Sequence, residues 1–122
     1  MNKPKFTKGE WVADIRGGCC AVYELSKAED TQGMQWDDDR NIYYSSLHAK
    51  WNGNQWSMSE EAVANAHLLA AAPDLYKEIE QDIQWLESMM PKFVYGSYEF
   101  GSICRRIETK RKLLAKARGE TQ

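Results

Sequence analysis

The sequence predicts an α+β fold, with a small antiparallel sheet of three to four strands in the N-terminal half and three helices after it. Two residue patterns support this prediction. Residues 1–58 contain short stretches in which apolar and polar residues alternate, the period of two that is typical of strands. Residues 59–118 instead repeat apolar residues every three or four positions, which is the period of a helix. Residues 119–122 form a polar tail.

The composition favours a single soluble domain over residues 1–122. A chain of 122 residues, of which 43% are hydrophobic and 11% aromatic, can bury a core of its own, whereas disordered chains have few aromatic residues. No apolar run approaches the roughly 18 residues that span a membrane. The polar N-terminal segment lacks the apolar stretch of a signal peptide. We therefore expect a cytoplasmic protein with no membrane partner.

The first two predicted strands form the clearest hairpin. Apolar and polar residues alternate over residues 10–16, and residues 19–25 supply the second strand. The intervening Gly17-Gly18 suits a tight turn, because glycine reaches the positive φ that such turns require. Further strands are predicted at residues 41–47 and, as a short fourth strand, at residues 49–51.

Three helices are predicted to follow. Ser59 is the expected N-cap of an alanine-rich first helix. This helix should end at Pro73, because a proline inside a helix removes a backbone hydrogen bond. A second helix is expected from Pro73 to Met90, and the third begins between Gly96 and Gly101. The short loop between the last two helices predicts an antiparallel helical hairpin.

The net charge of −2 hides a strong separation of charge along the chain. Residues 1–58 carry a net charge of −1, residues 59–103 carry −6 and residues 104–122 carry +5. One interpretation is that the two hairpin helices neutralise each other through exposed ion pairs, each contributing about 0–1 kcal/mol. The charged residues concerned are Glu78, Glu80, Asp82 and Glu87 on one helix and Arg105, Arg106, Lys110, Arg111, Lys112 and Lys116 on the other.

The other interpretation is a basic helix face that binds an anionic partner. Arg105, Arg106, Lys110 and Arg111 fit one broad face of the last helix. Guanidinium groups can bind a phosphate or carboxylate through two parallel hydrogen bonds. The partner would then be a nucleic acid, a nucleotide or an acidic protein surface.

Trp36 is a second candidate binding residue. It lies in the polar, acidic stretch of residues 26–40, directly before Asp37-Asp38-Asp39. Tryptophan is enriched among the residues that dominate protein interfaces. Trp36 would therefore either anchor a protein partner or fold back onto the sheet.

The cysteine and histidine residues do not predict a metal site, a cofactor or a disulfide framework. Cys19 and Cys20 are adjacent, and Cys104 is far along the chain. The spacing of His48 and His67 matches no common zinc pattern. Because no catalytic motif is recognisable, we expect a protein that is not an enzyme. A hydrolase that uses Cys19 or Cys20 with His48 is the remaining enzyme hypothesis.

Residues 65–75 read N-A-H-L-L-A-A-A-P-D-L. This stretch, Asn65 to Leu75, resembles the N-A-x-L-[IL]-A-A-A-P-[ED]-L segment of a group of small phage and prophage proteins. The segments Gly9-Glu10-Trp11-Val12, Ala21-Val22-Tyr23 and Leu114–Gly119 are also similar to that group. The resemblance implies an accessory protein that acts on the host rather than a virion component, and it assigns no catalytic residue.

These observations lead to two functional hypotheses. The first is a non-enzymatic phage accessory protein, in the cytoplasm of the bacterial host cell, that binds and masks a host protein such as a defence-system component. The alternative is a module that binds a nucleotide signal or a nucleic acid through the basic C-terminal helix. A homo-oligomer is compatible with both, because an apolar alanine-rich helix and an exposed sheet edge favour self-association.

Overall fold

The structure, a computed structural model, describes residues 3–27, 41–46 and 49–120. Its fold is α+β, and the described part of the chain contains a three-stranded sheet, a two-stranded sheet and two α-helices. The elements group into two compact units, one of Thr7–Pro73 and one of Met1–Phe6 with Asp74–Gln122. The boundaries of a single domain stay a prediction.

The three-stranded sheet is built on the predicted hairpin. Strands β1 (Trp11–Arg16) and β2 (Cys19–Glu24) pair antiparallel along their whole length. Gly17 and Gly18 form the turn, and the φ of +40° at Gly17 lies in the left-handed region that glycine adopts without strain. Strand β3 (Asn41–Ser45) pairs antiparallel with β2, so the strand order is β1-β2-β3.

A two-stranded antiparallel ribbon follows the sheet. It consists of β4 (Lys50–Trp51) and β5 (Trp56–Ser57). The Asn52 carboxamide oxygen closes the turn between them, because it accepts hydrogen bonds from the backbone N–H groups of Asn54 and Gln55, both at 2.9 Å. The predicted fourth strand is therefore present as β4, but it pairs with β5 in this separate ribbon and is not part of the three-stranded sheet.

The first helix is longer than predicted. Helix α1 spans Glu60–Met89 and continues through Pro73, so the prediction that a helix ends at Pro73 is wrong. The predicted N-cap is correct, since the Ser59 hydroxyl accepts a hydrogen bond from the backbone N–H of Ala62 at 3.1 Å. The described residues thus form two α-helices instead of the predicted three.

Packing before and after Pro73 explains why the helix continues through this residue. Proline removes one backbone donor and crowds the preceding turn, at a cost of about 3 kcal/mol. The alanines before Pro73 have the highest helix propensity of all residues. Ala66, before the proline, and Tyr76, after it, are both buried. Tertiary packing on each side therefore offsets the local cost.

The sheet unit has its core on one face of the sheet. Alternate residues of β1 and β2 pack there with the N-terminal part of α1, around the fully buried Val22 and Ala66. The residues of this cluster are Trp11, Ala13, Ile15, Cys20, Val22, Tyr43, Met58, Val63, Ala66, Leu69 and Ala70. A smaller cluster of Val12, Ala21, Tyr23 and Tyr44 lies on the opposite face of the sheet.

The second unit contains the predicted antiparallel pairing of helices, between the C-terminal part of α1 and helix α2 (Tyr98–Ala117). The Ser97 hydroxyl caps α2 by accepting a hydrogen bond from the backbone N–H of Phe100 at 3.2 Å. The contacts run antiparallel, because Tyr76 is joined to Arg118 and the later residue Asp82 to the earlier residue Lys110.

The core of this helical hairpin is narrow. Its fully buried centre is Ile83, and Phe6 adds an aromatic ring whose centroid is 5.1 Å from that of Tyr76. The cluster consists of Phe6, Tyr76, Ile79, Ile83, Leu86, Met90, Ile103, Ile107 and Leu114. No helix of the described chain is apolar over a length that could cross a membrane.

Candidate functional site

Of the four basic residues predicted to share one face of α2, Arg105, Arg106 and Lys110 lie on one side of the helix and Arg111 lies on another. Lys110 lies at one edge of the hairpin, where its Nζ is 3.4 Å from Oδ2 of Asp82. Arg111 lies at the other edge, where its Nη2 is 2.7 Å from Oε2 of Glu87. Both are cross-helix ion pairs of the kind that the charge pattern predicted. Arg105 and Arg106 are exposed on α2.

The ion pairs leave only part of the basic segment available to a partner. Lys112 pairs with Glu108 one helical turn earlier on α2, with Nζ and Oε1 3.2 Å apart. Arg118 donates hydrogen bonds to Glu120 and to the Tyr76 hydroxyl, and these bonds raise the pKa of Arg118. Within residues 3–27, 41–46 and 49–120, the basic side chains of this segment without an ion-pair partner are those of Arg105, Arg106 and Lys116.

Arg105 and Arg106 line a surface depression of about 380 Å³. Its other lining residues are Ser102, Thr109 and Lys110. We call these five residues the arginine face. It combines two guanidinium groups, two hydroxyls and one ammonium group, so every polar side chain in it can donate a hydrogen bond to an anion. A carboxylate or phosphate group is the ligand chemistry that such a set suits.

Helix geometry explains why these residues meet. Ser102, Arg105 and Thr109 are three and four positions apart and therefore lie on one side of α2. That side is opposite to Ile103 and Ile107, which pack in the hairpin core. The sequence prediction missed Ser102 and Thr109 because it considered only charge, although their spacing from Arg105 would have identified them.

The turn of the hairpin carries exposed apolar side chains that the sequence prediction also missed. Val94, Tyr95 and Tyr98 are 77%, 87% and 80% exposed, respectively. The ring of Tyr95 contacts that of Phe100, with centroids 5.2 Å apart. Because residues 91–97 were interpreted only as a loop, their apolar side chains received no role.

The thiols of Cys19 and Cys20 are poorly placed for nucleophilic catalysis. Cys19 and Cys20 are 6% and 1% exposed, and this burial raises the pKa of both thiols. The thiolate is the reactive form of cysteine, so a raised pKa lowers the reactivity. Among the residues that the structure describes, no group of three or more His, Cys, Asp or Glu side chains could hold a metal ion.

Two predicted site residues lie outside the described residues. Trp36, the candidate interface anchor, and His48, the candidate partner of a cysteine, both fall there. Their roles remain predictions.

Comparison with known proteins identifies a phage family. Among curated proteins and among solved structures, no match was found. The model of one protein family, described as Salmonella phage P22 protein Y8K6, matches residues 1–121. This match confirms the phage relationship that the sequence resemblance implied, while the Asn65–Leu75 segment itself is not tested by it. Because the match covers nearly the whole chain, the protein belongs to the family of Salmonella phage P22 protein Y8K6.

Proposed function

We propose that this phage-family protein is a non-enzymatic accessory protein that binds an acidic surface of a host protein and masks it. The arginine face is the proposed contact. A component of a host defence system is one target of this kind. The protein would act by occupying the surface of its target, and this mechanism requires no cofactor.

One observation carries the proposal: Arg105 and Arg106 remain exposed and, within the described chain, unpaired beside an acidic helix. Residues 74–89 contain five acidic residues and one basic residue, so α1 offers carboxylates with which basic residues of α2 can pair. Lys110 and Arg111 pair with two of those acids, whereas the two arginines face solvent. Arginine is enriched at protein interfaces, where its fork of donors binds carboxylates.

The nearby acidic helix favours a protein partner over a long polyanion. A protein can present carboxylates to α2 and neutral or basic groups to the acidic part of α1. A nucleic acid carries a negative charge at every phosphate, so its backbone would be repelled wherever it approached α1. Charge complementarity of this local kind provides specificity and speeds association.

The test is capture of host proteins with purified chain as bait. We expect wild type to retain a reproducible partner and Arg105→Glu/Arg106→Glu to retain at least about tenfold less, because the substitution places like charges against the acidic surface. The matched control is Lys3→Glu/Lys5→Glu, which changes the net charge equally at two exposed residues outside the arginine face. Equal capture by both charge-reversed variants would contradict the proposal.

A second function is favoured by the two hydroxyls of the arginine face. Ser102 and Thr109 flank the two arginines in the same depression. Hydroxyl and guanidinium donors together bind the oxygens of a phosphate group. A nucleotide signal or a single-stranded nucleic acid would satisfy these donors.

The two functions can be separated with purified ligands. For the second, anisotropy of a labelled single-stranded oligonucleotide should rise on addition of the protein. The logarithm of its affinity should fall with the logarithm of the salt concentration, with a slope of about −0.7 per phosphate contacted. Binding that Arg105→Glu/Arg106→Glu abolishes would support the second function. Absence of binding to both the oligonucleotide and a dinucleotide would leave the host protein as the partner.

A further inference from the structure

One side of the helical hairpin presents large apolar side chains to solvent around an ion pair. On α1, Leu75 and Trp85 are 50% and 61% exposed, and on α2 Leu113 is 49% exposed. The Asp82–Lys110 ion pair lies between the two helices on this side. We call this surface the Trp85 face. Its residues are Leu75, Glu78, Asp82, Trp85 and Met89 of α1 and Arg106, Lys110, Leu113 and Ala117 of α2.

The spacing of these residues establishes that they share one side. The α1 members follow one another at intervals of three, four, three and four, which is the spacing of a coiled-coil seam. On α2, Leu113 is three residues after Lys110 and Arg106 is four residues before it, so both lie beside it. The contact between Asp82 and Lys110 places the two sets on the same side of the hairpin.

This seam is separate from the one that holds the hairpin together. The buried seam of α1 consists of Tyr76, Ile79, Ile83, Leu86 and Met90. Trp85 is two residues after Ile83, which puts it about 200° around the helix, on the opposite side. The helical hairpin thus has a second, unfilled seam in which a tryptophan is exposed.

The charges of the Trp85 face fit a second copy of the same face. Its α1 members Glu78 and Asp82 are acidic, whereas its α2 members Arg106 and Lys110 are basic. A two-fold axis parallel to the helices places α1 of each copy against α2 of the other, antiparallel and at equal height. The Asp82–Lys110 contact puts these two residues at about the same height. Asp82 of each copy therefore meets Lys110 of the other, and Trp85 of each copy meets the region between Arg106 and Lys110 in the other.

We propose that the protein forms a homodimer in which two Trp85 faces pack as a four-helix bundle. Face-to-face packing of two antiparallel hairpins is the usual geometry of such bundles. The arrangement is isologous, so one surface satisfies both copies and the assembly closes at two. A purely anionic partner would leave the acidic members of the face unpaired. A purely apolar partner would leave all of its charged members unpaired.

This inference does not rest on the proposed host-binding function. Ser102, Arg105 and Thr109 of the arginine face are not members of the Trp85 face. Arg106 and Lys110 belong to both surfaces. The tests therefore use Trp85 and Leu113, which are outside the arginine face.

The oligomeric state of the purified full chain is the first test. Light scattering after gel filtration and sedimentation velocity should give twice the chain mass of 14.1 kDa. Trp85→Ser/Leu113→Ser should weaken the dimer at least about 30-fold, the effect of losing an interface hot spot. Tyr95→Ser is the control, because it removes an 87% exposed aromatic ring outside the Trp85 face.

Two results would overturn the dimer. One is a wild-type chain that is still monomeric at about 100 µM, a concentration above the dissociation constant of about tens of micromolar that we expect for a weak dimer. The other is equal dimerisation of wild type and Trp85→Ser/Leu113→Ser. All three substituted side chains are exposed, so far-UV circular dichroism should show an unchanged fold for each variant.

Cross-linking tests the pairing of α1 with α2 of the other copy. In a Cys104→Ser background, Glu78→Cys and Ala117→Cys are made as separate proteins and treated with a short bismaleimide. Helices in contact lie about 8–10 Å apart, within reach of such a reagent. We expect a covalent dimer only when the two proteins are mixed. A covalent dimer formed by either protein alone would exclude this arrangement, and so would the absence of a covalent dimer in the mixture.

Discussion

Cys19 and Cys20 are adjacent residues whose side chains lie on opposite faces of β2. Cys20 is part of the cluster with Val22 and Ala66, whereas Cys19 lies on the face that carries Tyr44. Burial raises the pKa of both thiols, and at Cys19 a hydrogen bond from Tyr44 partly opposes this shift. Both residues thus behave as small apolar groups of the core, which is the commonest role of a buried cysteine.

The raised pKa values predict a loss of stability at alkaline pH. A thiol of the unfolded chain ionises near its ordinary pKa of 9.0, whereas the buried thiols resist ionisation. The unfolded state therefore releases protons first, and the free energy of unfolding should fall as the pH rises above about 9. Below that pH both states keep their protons, so this contribution to stability is fully present. Urea unfolding at pH 7.5, 9 and 10 measures the effect.

Tyrosine and lysine also titrate in this range, so the comparison needs a variant without the two thiols. Cys19→Ala/Cys20→Ala should show a smaller fall in the free energy of unfolding between pH 7.5 and pH 10. An equal fall in wild type and this variant would mean that the thiols do not cause it.

At the scale of single elements, local patterns predicted strands better than helix ends. The β1–β2 hairpin follows from alternation plus Gly17-Gly18, because both signals are local. Ser59 was likewise predictable, since capping depends on one side chain and the next turn. The continuation through Pro73 was not, because it depends on the burial of Ala66 and Tyr76, which adjacent residues do not reveal.

The arginine face shows the same limit at the candidate site. Residue type alone grouped Arg105 with Arg111, although they are six positions apart and therefore about 240° apart around the helix. Helix phase separates them and joins Arg105 to Ser102 and Thr109. The pairing of Arg111 with Glu87 required the other helix as well, and a single sequence does not show which residues of two helices meet.

The position of Pro73 within α1 gives a prediction about stability. Pro73→Ala restores a backbone donor and removes the clash with the preceding turn, a gain of about 3 kcal/mol from helix propensity. The unfolded chain also gains freedom, which subtracts about 0.4–1 kcal/mol. We therefore expect the free energy of unfolding to rise by about 2 kcal/mol. Urea unfolding followed by circular dichroism at 222 nm measures it.

Pro91→Ala is the matched control for this substitution. Pro91 is exposed and lies at the start of the short 3-10 helix Met90–Lys92, where proline costs no helical hydrogen bond. Its replacement should leave stability unchanged or slightly lower. A Pro73→Ala variant that is no more stable than Pro91→Ala would mean that the proline is favourable in α1.

At the scale of the whole molecule, the net charge of −2 results from cancellation between an acidic and a basic region. Part of this cancellation is physical contact, through the Asp82–Lys110 and Glu87–Arg111 ion pairs. Three of the four side chains are exposed and that of Lys110 is half-buried, so water weakens the attraction within both pairs. They determine which helix surfaces meet more than they stabilise the fold, and the apolar cluster around Ile83 supplies most of the stability of the hairpin.

This division of roles predicts how the protein responds to salt. Raising the NaCl concentration from 0.1 M to 1 M shortens the screening length from about 10 Å to about 3 Å. Two exposed pairs at about 0–1 kcal/mol each should then lose at most about 2 kcal/mol together, as measured by urea unfolding at both concentrations. Lys110→Ala/Arg111→Ala should lose less stability than wild type does, because the pairs are already absent.

Capture of a partner through the arginine face should fall sharply over the same range of salt concentration, since it depends on attraction between exposed charges. If salt instead lowers the free energy of unfolding by more than about 2 kcal/mol and leaves partner capture unchanged, the ion pairs serve the fold and the arginines do not serve binding.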